Sequence, residues 1–440
     1  MKNTVILLLL SLLTCYGLEA GTLLKFHVAE ESEIPRGEEI ERENKDYDLQ
    51  VYLGETIIDE ESPEGICVWN FDTKRKYQSV EEQSAFVNYS LFSDLGFRVY
   101  EFQNRLKLGG ALEAVGIEDN PMDRILMEHL FSLTSDEESK LDRKSKKSRI
   151  IFKHSKKVLL EYSNNSEPAE SEVIGRFVLY LRYRFGIHPQ ILTELESLNG
   201  IPNELIIYRY DVGQERIELR FISIDDNYAE PSRELSVTTP LEDGLLYQTS
   251  AKATDYTKKA YADACVSLKK RAVTSARKSD YLDSIGLFLA YTLATGEQMP
   301  EEFFEFRDAI TQNADVQLLF SSLKPLSEET APQALKDLEK LSEKAKEGQC
   351  AILIFKANTL AHSGKPYEAI DAFLAALSLE PAIVGAWKDL GDVYYSIYDA
   401  IQAWHCWDTG RSLLINHSLF NAVNEFEDTL QTDHPEFFLR

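Results

Sequence analysis

In the last hundred residues, small, aromatic and helix-ending side chains recur at an interval of 34 positions. With a frame set at Cys350, the first unit places Ala369, Phe373, Ala376 and Pro381. The second starts at Val384 and puts Trp387, Leu390, Gly391, Tyr394, Ala403, Trp407 and Gly410 in phase with it. A period of this length marks a supersecondary unit that cannot bury its apolar face alone and must stack on its neighbours. Each residue type has a physical task in such a unit. Gly391 and Ala403 let two helices approach closely, Tyr394 and Trp407 fill the space beside them, and Pro381 ends one hairpin before the next begins.

These eleven in-phase residues resemble the tetratricopeptide repeat, with units at 350–383 and 384–417. The resemblance implies helical hairpins whose first helices line a concave, partner-binding face. Carried over position by position, that face comprises Asn358, His362, Lys388, Asp392 and Tyr395. It implies a protein or peptide partner. Repeats that clamp C-terminal carboxylates have lysine where this chain has Ile354, and only Asn358 matches that pattern, which argues against a clamp. The chain departs from the family at Lys356, where leucine is favoured. The preceding segment, with Ala334, Leu338 and Leu341, fits only after a one-residue shift.

Helical periodicity extends upstream, so an all-α repeat domain is expected over 249–440. Tyr261, Cys265, Leu268 and Ala272 share one helical face. A helix over 281–294 is stopped by Gly296, Pro300 opens the next, and Pro332 and Gly348 bracket another. Residues 21–235 alternate strand and helix signals, which predicts an α+β domain with a mainly antiparallel sheet. Hairpins are expected from Leu205–Tyr210 and Arg216–Ile222, around Gly213, and from Ile150–Phe152 and Val158–Tyr162. Further strands are expected at Leu23–Val28, Leu49–Ile58 and Ile66–Phe71, with helices over Glu172–Phe185 and from Pro189 to Gly200. No strand order follows from this pattern.

The formal charge is −26, which repels phosphate backbones and argues against nucleic-acid binding. Between Glu30 and Glu64 stand fourteen acidic residues against three basic ones, a pattern expected of a solvated loop and without EF-hand spacing. Nine Lys or Arg against one acid lie between Lys140 and Lys157, expected as a mobile surface loop able to dock an acidic partner or the acidic stretch of the same chain.

The first twenty residues read as an export signal: Lys2, an apolar stretch from Val5 to Leu13, and Leu18-Glu19-Ala20 at the cut. These nine residues, interrupted only by Ser11, are too few for a helix to span a bilayer, which takes about 20. The expectation is a mature chain with no transmembrane segment, in the bacterial periplasm or secreted. Cys15 offers an alternative as a lipid-attachment cysteine. Cys67, Cys265, Cys350 and Cys406 form no CxxC pair and read as small buried residues.

No nucleophile elbow, zinc helix or P-loop occurs, so no catalytic residue, metal ligand or cofactor is assigned. His188, at a turn beside Arg182 and Arg184, is the histidine to inspect. Trp69, Trp387 and Trp407 read as packing residues, and Trp404 as packing or a partly exposed anchor. Three functions fit: an exported partner-binding scaffold, an extracytoplasmic hydrolase with its site in 21–235, and a structural component of the cell envelope.

Overall fold

A computed structural model describes residues 20–439, apart from 38, 81–84, 117–119, 121, 136–139, 212, 237, 240, 242–243, 325–326, 328 and 416. The expected export signal, including Cys15 but not Ala20, lies outside the described residues. The chain divides into a sheet unit, residues up to 91, 95–239 and 430–440, and a helical unit, residues 92–94 and 240–429. The fold class is α+β, an antiparallel sheet followed by an all-helical array of hairpins. Residues 430–440, which periodicity alone groups with the helices, belong to the sheet unit.

The sheet unit is built from β1 (Ala20–Arg36), β2 (Glu39–Leu53), β3 (Ile57–Ser62), β4 (Gly65–Asn70), β5 (Arg75–Ser79), β6 (Phe86–Ser90), β7 (Asp142–Lys146), β8 (Arg149–His154), β9 (Lys157–Ser163), β10 (Ser166–Pro168), β11 (Gly200–Pro202), β12 (Glu204–Tyr210) and β13 (Gln214–Ala229). Eleven of these form one sheet in the order β6-β5-β4-β3-β2-β1-β13-β12-β9-β8-β7. Two meanders are therefore joined where the first strand pairs with the last, Leu24 opposite Ile224 and Val28 opposite Leu219. The helices of this unit are α1 (Leu91–Ala114), α2 (Arg124–Phe131), α3 (Ser171–Phe185) and α4 (Pro189–Glu196).

Both faces of the central strands are covered, which is why Val51-Tyr52-Leu53 and Ile57-Ile58 are runs of apolar residues rather than alternations. On one face Leu23, Tyr52, Ile57 and Val68 cluster. On the other, Phe26 stacks on Phe177 of α3 at 5.6 Å, and Trp69 meets Tyr180 edge-on at 6.1 Å. The C-terminal residues close over α3: Phe437 is fully buried, and Tyr183 donates its hydroxyl to the Phe437 carbonyl at 2.7 Å.

Two expectations are corrected here. The acidic stretch is no loop: most of it is the β1–β2 hairpin, paired without interruption from Thr22↔Leu53 to Arg36↔Glu39. Its outer part is exposed on both faces, so no apolar alternation betrays it, and ion pairs such as Arg42–Glu33 at 2.9 Å bridge its strands. The basic stretch is no loop either: it is β7 and β8, turning through Lys147, whose φ is 53°. β7 lies at the end of the sheet with all five residues exposed, and lysines there guard an open strand edge against pairing with other chains. Among the described residues, the ion pairs that Arg143, Arg149 and His154 of this stretch make run to Glu194, Glu161, Glu204 and Asp123 rather than to the acidic hairpin.

The helical unit comprises α5 (Leu245–Thr254), α6 (Lys258–Arg277), α7 (Tyr281–Thr295), α8 (Glu301–Gln312), α9 (Ala314–Ser322), α10 (Ala331–Lys344), α11 (Gln349–His362), α12 (Pro366–Leu379), α13 (Val384–Ser396) and α14 (Ala400–Leu413), and α15 (Asn421–Asp433) leads out of it. α6 packs on α7, α11 on α12 and α13 on α14. These three hairpins share one turn. The central residues Ser279, Gly364 and Tyr398 are left-handed, with φ of 65°, 71° and 70°. In each, the next residue's N–H reaches back five positions, Asp280 to Ser275, Lys365 to Leu360 and Asp399 to Tyr394. That is a Schellman closure, which satisfies the last carbonyls of the first helix. No helix among the described residues is long and apolar enough to cross a membrane.

Candidate partner-binding site

The second repeat shows why its residues recur. Trp387 is fully buried and donates its indole N–H to the Pro381 carbonyl at 2.8 Å. Trp407 lies against Gly391 and donates to the Lys388 carbonyl and to Asp392 Oδ1, both at 3.2 Å. Trp404, read as a packing residue or else a partly exposed anchor, is 1% exposed and donates to Glu427 Oε1 at 2.8 Å, so it packs the array. The free thiols of Cys265, Cys350 and Cys406 are buried too, whereas Cys67 is half-buried.

The five residues expected on a concave face separate into two groups. Asn358 and His362, one turn apart on α11, line a groove of about 1090 Å³ with the end of α9, the start of α10 and the turn after α11. Ala331, Pro332, Leu335 and Phe355 supply its apolar surface, and Lys324 and Lys365 stand at its edge. Asn358 also donates its amide to Asp389 of α13 at 3.1 Å, tying the first helices of the two repeats together. Burial pushes the Asp389 carboxyl above the usual aspartate range, with the Asn358 amide opposing that rise. Lys388 and Asp392 pair with each other at 2.5 Å. Tyr395 packs into an aromatic cluster with Trp404, Trp407 and Phe426. The groove thus gathers two of the five residues, and Asp389, which family phasing passes over, is the link between them and the rest.

In the sheet unit, His188 is fully buried and caps α4, accepting from the Gln190 N–H through Nδ1. Its Nε2, which must then carry the proton, lies 3.1 Å from Glu128 Oε2. Glu128, also fully buried, accepts further from Arg124 at 3.1 Å and from the Ser135 N–H and hydroxyl at 3.1 and 2.6 Å. The neighbouring His129 accepts from the His188 N–H through Nδ1 and faces the Tyr208 carbonyl through Nε2 at 2.9 Å. A carbonyl only accepts, so that nitrogen holds the proton and the ring is neutral with both nitrogens engaged. Around the cluster the backbone is left-handed at Ser132, Gly186 and Ile187. A sealed carboxylate–imidazole pair with full partners holds these crossing segments together.

Burial above all, and then the adjacent His188, depresses the His129 imidazole to a pKa of about 3. The unfolded chain takes up that proton near pH 6.5 and the folded chain does not, so stability is fully present above pH 6.5 and falls as pH drops toward 3. The slope is about 1.4 kcal/mol per pH unit, or about 2 kcal/mol lost at pH 5. Urea unfolding of the intact chain and of His129→Gln, at pH 7.5 and pH 5, will show a flatter dependence in the variant by about that amount.

No protein-family model matches the chain, and no curated protein matches it in sequence. The tetratricopeptide resemblance rests on the phased residues quoted above.

Proposed function

We propose that the chain is an exported, tetratricopeptide-like scaffold that takes an extended segment of a partner protein into the groove beside α11. The observation that carries this is the groove itself, about 1090 Å³, with Asn358 and His362 in its wall at concave-face positions. Its apolar wall suits one buried apolar side chain, the usual anchor of peptide recognition. Its lining includes Lys324 and Lys365 and no carboxylate among the described residues, in a chain with 73 acidic residues against 47 basic ones. A segment with an apolar residue flanked by Asp or Glu is complementary to it.

Panning a random-peptide display library on the full mature chain tests this. Enriched sequences will carry that pattern, and will bind Lys324→Ala/His362→Ala about tenfold more weakly, a difference of about 1.4 kcal/mol. A library without enrichment, or peptides indifferent to the double substitution, would sink the proposal.

A further inference from the structure

The face of the sheet toward α3 changes character along its width. On β1 it presents Leu24, Phe26 and Val28, all buried apolar residues. Strand registers put Glu60, Cys67 and Gln78 in one cross-strand row of β3–β5, and Trp69 and Lys76 in the next. These residues, with Tyr183 and Arg184 of α3, line a cavity of about 240 Å³. A sheet face packed on a helix is ordinarily apolar, and polar groups placed there carry a desolvation cost unless partnered.

Most of the polar groups are partnered. Glu60 accepts from the Tyr180 hydroxyl at 2.9 Å and from Arg184 at 3.2 Å. Glu64, also on the wall, pairs with Lys45 at 2.5 Å. Two donors remain. Trp69 is 2% exposed, and its indole N–H has no acceptor among the described residues. Lys76 holds its ammonium 5.7 Å from the centre of the Trp69 ring, and no carboxylate among the described residues pairs with it. A buried N–H without an acceptor carries an uncompensated desolvation cost, and calls for an occupant.

We propose that this cavity binds a small organic molecule by an oxyanion group held between Lys76 and Trp69. Among the described residues Lys76 is the one unpaired positive charge on the wall, which Glu60 and Glu64 also line, so the ligand carries a single negative charge at one end. The volume lies below the roughly 300 Å³ at which drug-sized pockets begin, which fits a metabolite and not a peptide. A carboxylate and a phosphate share this chemistry. A single available cation among the described residues favours the carboxylate.

The four tryptophan indole N–H resonances of the intact chain report on binding, with Trp69 assigned through Trp69→Phe. Propionate, glycine and inorganic phosphate are titrated separately. The expected result is a saturable shift of the Trp69 signal with propionate or glycine. It should weaken at least about tenfold in Lys76→Gln, as loss of a charged hydrogen bond requires. The other three signals then stay in place and verify the fold. A shift with phosphate alone overturns the preference for carboxylate. A Trp69 signal that no probe moves, or that moves equally in Lys76→Gln, overturns the site and leaves water as the occupant.

Discussion

Replacing Glu128 by alanine should destabilise the sheet unit by about 3–5 kcal/mol, the range for removing one partner of a buried charged network. The carboxylate is fully buried and gathers Arg124, the Ser135 N–H and hydroxyl, and His188 Nε2. Without it, the His188 N–H is left in a site with no exposure to water. Glu128→Gln is the sharper comparison. The amide nearly preserves the volume and can still accept through one oxygen, but it offers a second donor where His188 and Ser135 already donate. Chemical denaturation should place the glutamine variant between wild type and alanine. An alanine variant within about 1 kcal/mol of wild type would mean that the network contributes little to stability.

Which parts of this architecture were legible in the sequence depends on whether a residue had one geometric task. The phased glycine, alanine and tryptophan positions did, and they predicted the hairpins α11–α12 and α13–α14 at the right places. The α6–α7 hairpin makes the same turn, yet its left-handed residue is Ser279, so no glycine advertised it. Local β-hairpins were visible because apolar alternation sits beside turn residues, as at β12–β13. The pairing of β1 with β13 was not, since it joins residues about two hundred apart and leaves no local signature. The Leu49–Ile58 strand is in fact two, β2 and β3, because an apolar run buried on both faces hides the break between Leu53 and Ile57.

The sites divide in the same way. Asn358 and His362 were reachable by phasing, because their place on the first helix fixes the side they face. Lys388 and Asp392 shared that phase, but their mutual ion pair was invisible to it. His188 stood out through its turn, while its partner Glu128 lies sixty positions away and only the fold unites them. Lys76 and Gln78 lie on β5, a five-residue strand that no pattern in the sequence marked out. The placement of α3 over them is what makes their cavity.

The second large effect concerns the knob and socket of the 384–417 repeat. Trp407 is 3% exposed, and its truncation to alanine should cost about 3–5 kcal/mol. Gly391 is the socket: a methyl built there would stand 2.3 Å from the Trp407 indole nitrogen and 3.0 Å from the Ala403 carbonyl. In an unobstructed helix, glycine to alanine stabilises by about 1 kcal/mol. Here the sign should invert, with Gly391→Ala losing about 1–3 kcal/mol to overpacking. The two substitutions touch the same space, so they should not add. In a Trp407→Ala background the two closest contacts of the added methyl are gone and the Ala403 carbonyl, at 3.0 Å, is the nearest that remains, so Gly391→Ala should become close to neutral. Thermal or urea unfolding of the four chains gives the coupling directly, and about 2 kcal/mol or more is expected. Additive effects would show that the close approach of α13 and α14 does not depend on this pair. The repeat's glycine would then be a matter of chain composition rather than of fit.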